Sequence, residues 1–401
     1  MRIHSAEQPR IRQEPETIWN RSFVSLFFTN MVLNMGQNMS NSLIAVYADY
    51  LGASAVAVGV VVGAFAVSAM CFRLISAPII DTYNRKYVIV FSTVTLAASF
   101  GGYSVSNTVP MLMGFRLLQG FGMAFGNACC LTMVADMLPK KKYGSGIGYY
   151  TLAQVTAQAI GPSVGLELAA RIGYQQTYLI TAGIMLFSGI LAFAMKFEFR
   201  KTQKLTFKAS NIIAKEAFLP TIVLLLFVMA TCGNSFLVIF ARNQGITANI
   251  GIYFAVSAMT MLITRPIIGR LTDRHGPVAV SIPSLMGIII ALFILSTSTT
   301  LRGFLASAVI SSFGQGGCMP AMQALSMKAV PPERRGAASC TNFIGMDIGA
   351  LLGPIVAGAL AQALGYTAMW RSMGMCSLVG IGVLLIFRKQ IMQIETDFIS
   401  R

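Results

Sequence analysis

Acidic side chains are scarce in this chain of 401 residues: Asp and Glu number 14 against 30 Lys and Arg, and charged residues make up only 11% of the sequence. Soluble domains carry roughly 25% charged residues, so a water-facing globular surface is excluded. There are two histidines, His4 and His275, and neither has a Ser or Cys beside it in a nucleophile setting. The seven cysteines show no CxxC or Cys/His spacing. Metal site, resident cofactor and hydrolytic machinery are therefore all unexpected, and the chain does not read as an enzyme. The first 20 residues lack an apolar core followed by a small-residue cleavage site, so the first apolar run is read as its own insertion signal.

What the chain has in quantity is apolar surface: 55% hydrophobic residues and a mean hydropathy of +0.68. About 20 apolar residues at 1.5 Å each cross roughly 30 Å of hydrocarbon. Six such runs lie near 23–47, 55–79, 87–107, 110–137, 146–169 and 175–197, and six more near 218–241, 250–272, 278–298, 303–327, 337–363 and 368–387. Backbone in lipid must satisfy its own hydrogen bonds, and these runs lack the period-2 alternation of barrel strands, so each is a helix. The expected fold is an all-α integral membrane protein of twelve transmembrane helices in two six-helix halves. Its divisions are a cytoplasmic tail (1–22), a first half (23–197), a basic linker (198–216), a second half (217–388) and a second cytoplasmic tail (389–401).

The halves are copies of one unit. An offset of 192 residues places Arg73 on Arg265, Asp81 on Asp273, Pro139 on Pro331, Gly144 on Gly336, Gly161-Pro162 on Gly353-Pro354 and Gly173-Tyr174 on Gly365-Tyr366, without a gap. One constant register over about a hundred residues marks an internal duplication.

Basic residues fix the expected orientation. With the N-terminus inside, 23 Lys and Arg fall in cytoplasmic segments and four outside (Arg171, Arg242, Arg302, Arg371), the remaining three lying within spans. Both termini are thus expected in the cytoplasm of a prokaryotic cell, at its plasma membrane. The net charge of +16 follows from this topology, with the inner loops facing lipid headgroups, and calls for no nucleic acid.

Three motifs occupy matching places. After span 2 comes Ala77-Pro78-Ile79-Ile80-Asp81-Thr82-Tyr83-Asn84-Arg85-Lys86, and after span 8 comes Gly269-Arg270-Leu271-Thr272-Asp273-Arg274-His275-Gly276. Span 4 carries Arg116-Leu117-Leu118-Gln119-Gly120. Span 5 carries Ala157 to Gly165 around Gly161-Pro162, repeated on span 11 around Gly353-Pro354. In these segments the chain resembles the major facilitator superfamily over essentially its full length, and in span 5 its twelve-helix drug:proton antiporter branch. The departures are Ala77 and Asn84 where Gly is usual, Pro277 where a basic residue is usual, and Ala157 and Leu166 in span 5; Asn84 still tolerates a left-handed turn. The resemblance implies two halves rocking about a midplane site. It also implies a latch in which Asp81, Arg85, Asp273 and Arg274 close the cytoplasmic side, the acids meeting helix ends of the opposite half. Gly161, Pro162, Gly165, Gly353 and Pro354 form a helix-packing motif, small residues allowing close approach and proline loosening the helix.

Polar residues inside spans line whatever water-filled space exists, because lipid excludes them. On span 1 Asn34 and Gln37 share one face. Span 4 adds Gln119, Met123 and Asn127, span 5 Gln154 and Gln158, span 7 Asn234, and span 10 Gln315 and Met319. These describe an amide-rich and Met-rich pathway for a small molecule. Asp347 is the one carboxylate deep in a span, and desolvation favours its neutral form, as a proton carrier requires. Asp347 and Arg116 are the candidate coupling residues, with a fixed ion pair of Asp347 and an arginine such as Arg116, serving structure alone, as the alternative; Arg73 and Arg265 either face the pathway or snorkel to the inner surface. Near-neutrality of such a cavity favours neutral, zwitterionic or anionic amphiphiles over dications. The expected function is proton-coupled efflux of a small amphipathic molecule by a monomer in the lipid bilayer. Uptake or facilitated diffusion of a sugar, organic anion or amino acid derivative is the alternative, followed by a non-transporting sensor or scaffold.

Overall fold

A computed structural model describes residues 17–53, 55–195, 212–246 and 251–400, and every regular element in them is helical. Most of the linker expected at 198–216 lies outside the described residues. The first six spans are Arg21–Tyr50, Ala55–Thr82, Arg85–Ser104, Val109–Met137, Tyr143–Ile172 and Tyr174–Ala194. Span 7 comprises Phe218–Cys232 and Leu237–Asn243 joined by the 3-10 turn Gly233–Phe236. Spans 8, 9 and 10 are Gly251–His275, Pro277–Thr297 and Leu301–Lys328. Arg335–Ile386 runs on as one hydrogen-bonded stretch broken only at Gly365, which divides span 11 from span 12.

Eight of the helices are long and apolar enough to cross a membrane by length and composition, the Arg335–Ile386 run being one of them. Spans 1, 5 and 10 fall short because asparagine, glutamine, glycine and serine dilute their apolar residues, and all three carry candidate pathway side chains.

Local chemistry sets the helix ends. Asn20 accepts the Phe23 N–H at 2.9 Å to start span 1 and donates to the Met137 carbonyl at 3.2 Å. Gly173 and Gly365, one repeat apart, both take φ near +80° and ψ 166°, so the turn between the last two spans of each half is the same turn. Asn84 does not take a left-handed turn. It is extended (φ −62°, ψ 113°) and caps span 3 by accepting the Lys86 N–H at 3.1 Å, a job its side chain does and glycine could not.

The motif glycines pack each half. A Cβ on Gly165 would lie 3.1 Å from the Met39 carbonyl oxygen, and one on Gly353 would lie 3.2 Å from the Met229 Cα. Span 5 therefore rests backbone-to-backbone on span 1, as span 11 rests on span 7. Pro162 and Pro354 lie inside these two helices.

The segment expected as a C-terminal tail is the helix Arg388–Ser400. It folds back beneath span 10: Ile391 and Phe398 are buried, Glu395 pairs with Lys328 at 2.6 Å, and the Phe398 ring meets Tyr143 of span 5 edge-on at 5.2 Å.

Candidate functional site

Two aspartates at equivalent repeat positions each reach a helix start in the other half. Asp81 accepts the Gly336 N–H at 2.7 Å and the Ala337 N–H at 3.0 Å; Asp273 accepts the Gly144 N–H at 2.6 Å and the Ser145 N–H at 2.9 Å. First-turn amides have no intrahelical acceptor and carry the positive end of the helix dipole, which suits a carboxylate. Glycine is what lets the acid in. A Cβ on Gly336 would lie 2.5 Å from Asp81 Oδ1, and one on Gly144 would lie 2.8 Å from Asp273 Oδ1.

Around this shared plan the copies differ. At the Asp81 end, Arg85 approaches Asp81 at 3.7 Å and pairs with Asp136, which also receives Arg335 of span 11 at 2.6 Å. Asp136 thus bridges a cation from each half. Nothing in the sequence pattern links Asp136 to Arg335, far along the chain in the other half. At the Asp273 end the corresponding positions are Pro277, Lys328 and Tyr143, so the ion cluster has no counterpart. The Ser145 hydroxyl donates to Asp273 instead, and the C-terminal helix covers Lys328 and Tyr143. Arg274, expected in the latch, is exposed on the surface.

Arg116 is buried, but it does not meet Asp347. Its guanidinium donates to Gln119 Oε1 at 2.7 Å and Asn41 Oδ1 at 3.1 Å, and lies 4.9 Å above the Phe65 ring. Gln119 also accepts from the Tyr103 hydroxyl at 2.6 Å and donates to Gln37 at 3.0 Å. Arg116, Gln119 and Gln37 therefore tie spans 1 to 4 of the first half together.

The partner of Asp347 is Arg73, which does not snorkel to the surface. Arg73 Nε donates to Asp347 Oδ2 at 2.6 Å, with the guanidinium 4.8 Å from the Phe343 ring; the Arg73 side chain is 4% exposed and that of Asp347 19%. The pair joins span 2 to span 11 and hence one half to the other. Its two positions could not be matched from sequence, because their contact depends on how the halves dock.

The remaining candidates divide by environment. Asn34 is buried against Asn30 at 2.8 Å, and Met123 is buried in the first-half core. Asn127, Gln154, Asn234, Gln315 and Met319 are partly exposed, and Gln158 is exposed. Met123 and Asn127 take the same repeat positions as Gln315 and Met319, so each half offers one amide and one methionine in opposite order. Gln323, next in line on span 10, is buried with Oε1 unpaired and reaches Met346 Sδ at 3.9 Å.

Every hydrogen bond described between the halves involves Asp273 or a residue from Arg335 to Asp347. Besides those above, Ser339 donates to the Ala128 carbonyl at 2.9 Å, and Ser76 Oγ lies 3.3 Å from Cys340 Sγ. One buried cluster also draws on both halves here, Phe125, Ala128 and Leu131 meeting Met327, Ala337 and Phe343. The other two clusters each stay within one half. The contacts between the halves thus gather at the end carrying Asp81, Asp273 and the C-terminal helix. At the opposite end no hydrogen bond or ion pair joins the halves among the described residues.

The Major Facilitator Superfamily model matches residues 26–247 and again 221–393, once for each half. The chain belongs to the major facilitator superfamily. It is accordingly a multi-pass membrane transporter and not an enzyme, with multidrug efflux pumps among its relatives. It is 26% identical over 376 residues to an uncharacterised MFS-type transporter of Methanocaldococcus jannaschii, covering 90% of this chain and 97% of that one. It is 23% identical to the multi-drug resistance efflux pump PmrA of Streptococcus pneumoniae serotype 4, covering 90% and 94%. Against multidrug resistance protein 1 of Bacillus subtilis the identity is 27%, over 77% and 81%. Among solved structures, FucP in the outward conformation superposes with a TM-score of 0.78 at 15% identity, covering 92% of this chain and 99% of that one. The human organic anion transporter MFSD10 (TETRAN) superposes at 0.77 and 14%, covering 91% and 99%. At such identities these two structures speak for the fold alone.

Proposed function

We propose that this transporter is a proton-coupled exporter of a small amphipathic molecule, working as a monomer by alternating access in the plasma membrane with both termini cytoplasmic. The observation that carries the reading is the Arg73–Asp347 pair: the one carboxylate deep in a span is partly exposed and is tied to a cation of the other half. Protonating Asp347 removes the charge that holds Arg73, so the proton is read directly as a weakened joint between the halves. With the halves held together at the latch end, a proton arriving from the opposite side loosens this joint and lets the halves rock open inward. Loss of the proton to the cytoplasm, with substrate bound, restores the pair and the outward form. Binding and release then alternate without both sides opening together. The multidrug efflux relatives support the direction of transport.

In cells expressing the protein, accumulation of a neutral or anionic amphiphilic dye should fall below the empty-vector level and return to it when a proton uncoupler is added. Protection against a bis-quaternary dication should be weak, because Asp347 is already neutralised by Arg73. Strong protection against the dication alone would place a free carboxylate in the site. The orientation has its own check. With the native cysteines removed, single cysteines at Lys201 and Arg334 should resist an impermeant maleimide added to intact cells, whereas cysteines at Arg171 and Arg371 should react. Labelling at Lys201 from outside would reverse the topology.

A further inference from the structure

Three arginines lie deep within spans, away from the helix ends, and two have their partners. Arg73 has Asp347 and the Phe343 ring, and Arg116 has Gln119, Asn41 and the Phe65 ring. Arg265 of span 8 has neither acid nor ring among the described residues. It is 5% exposed, and its Nε and Nη1 have no hydrogen-bond partner among the described residues. Buried guanidinium groups are ordinarily paired, because a cation in hydrocarbon is costly and more so when its donors are unmet.

The repeat shows what is missing. Arg265 is the copy of Arg73, and span 8 lies against span 5 as span 2 lies against span 11; a Cβ on Gly148 of span 5 would sit 3.3 Å from the Arg265 carbonyl oxygen. In the first pair of helices the partners are Asp347 and Phe343. The corresponding residues of span 5 are Val155 and Thr151, both buried, and the Thr151 hydroxyl is given to the Gly148 carbonyl at 2.9 Å. The duplicated unit therefore keeps its arginine twice and its carboxylate once. Two of the three intramembrane cations are left without a formal counter-charge, Arg116 meeting neutral amides, and only Arg265 also lacks neutral acceptors.

We infer that Arg265 is the anchor for an anionic group on the transported molecule, a carboxylate, sulfonate or phosphate ester carried on an apolar body. The bound anion takes the place that Asp347 fills for Arg73, so the loaded transporter has two arginine–anion pairs related by the repeat, one internal and one completed by substrate. The open Nε and Nη1 donors each share a fork with Nη2, and either fork fits the two-oxygen edge of such groups, as Arg73 meets Asp347 through Nε and Nη2. This reading rests on the transport function proposed above but is tested apart from it, since it requires binding and no proton gradient.

The matched probes are 1-pyrenebutyrate and its uncharged amide, titrated by fluorescence into purified protein in phosphatidylcholine nanodiscs. Wild type should bind the anion at least tenfold more tightly than the amide. R265Q should bind both alike, at the amide's affinity. V155D gives Arg265 an internal carboxylate at the position Asp347 holds for Arg73, and should also lose the anion preference while remaining folded. Thermal stability without ligand separates anchoring from a structural role: R265Q should melt no lower than wild type, because it removes an unpaired buried cation, whereas a structural arginine would leave a less stable protein. Retention of the anion preference in R265Q overturns the inference. So does loss of pyrenebutyrate binding when the nanodisc lipid is phosphatidylglycerol, which would assign Arg265 to a lipid headgroup. If the anion preference follows Arg265 and no proton-driven transport is found, the proposed coupling fails and this site stands.

Discussion

Replacing Asp347 by Asn is expected to abolish pH-driven transport while leaving downhill exchange of substrate in place. The amide keeps the shape and can still accept one hydrogen bond from Arg73, so the pathway survives. What it cannot do is alternate between charged and neutral, and that alternation is what links proton binding to the joint between spans 2 and 11. Stability should fall too, because D347N leaves Arg73 buried without its counter-charge. Breaking a buried pair on one side costs about 3–5 kcal/mol, and the 19% exposure of the Asp347 side chain puts the expected loss at the lower end. The double variant R73M/D347L separates the two effects. Replacing both charges with apolar groups of similar size should restore the melting temperature, since neither charge is then stranded, yet pH-driven transport should remain absent. Gradient-driven activity in either variant would remove Asp347 from the coupling role and turn attention to Glu167, which pairs with Arg171 near the exposed C-terminal end of span 5 at 2.6 Å.

Asp81→Asn should have the next largest effect, and at the opposite step of the cycle. Asp81 takes two amide donors from the start of span 11, and Asp81, Arg85, Asp136 and Arg335 balance one another's charge across the two halves. Asn meets those amides with one oxygen and one donor, and leaves the cluster with an extra positive charge. A hydrogen bond to a charged group contributes roughly 1.5–3 kcal/mol, so the ratio of sealed to open forms should shift by about 30-fold. Cys340 reports this shift directly, since it is fully buried with Ser76 where the halves meet. In a background keeping Cys340 alone, D81N should raise its labelling rate by about that factor and lower turnover, with insertion unchanged. D273N should do less, because Lys328, Tyr143 and the C-terminal helix brace that side through contacts that do not pass through the carboxylate. Unchanged Cys340 labelling in D81N would reduce Asp81 to a helix cap without a gating role.

Features that follow from local chemistry were legible in the sequence; those that follow from docking were not. Apolar length gave the spans, and the 192-residue register gave the duplication, down to the shared dihedrals of Gly173 and Gly365. The Gly144–Asp273 and Gly336–Asp81 contacts were half visible. The residues repeat in register, but only the fold shows that each glycine is kept so that the facing carboxylate can reach a helix start. The side-chain partners of Arg116, Asn41 and Gln119, are polar residues of its own half, with Gln119 one turn along the same helix. The Arg73–Asp347 pair was missed because spacing along one helix says nothing about which residue of another half lies opposite. Asp136 was missed for the same reason, its second cation coming from span 11. The C-terminal segment read as a tail because it is too polar to span a membrane; its helix is fixed by Ile391, Glu395 and Phe398 meeting a surface that exists only after both halves assemble.

The central claim is that movement of an amphiphile in one direction carries a proton in the other through Asp347. Proteoliposomes with trapped pyranine and no initial pH gradient test it most directly, as amphiphile is added outside. Inward movement of substrate should drive protons out, so the lumen should turn alkaline with wild-type protein and stay unchanged with D347N. Passive entry of a weak acid would shift the lumen the other way, so the sign alone separates the two. A lumen that stays constant while wild type moves substrate, or one that turns alkaline equally with D347N, would contradict the account.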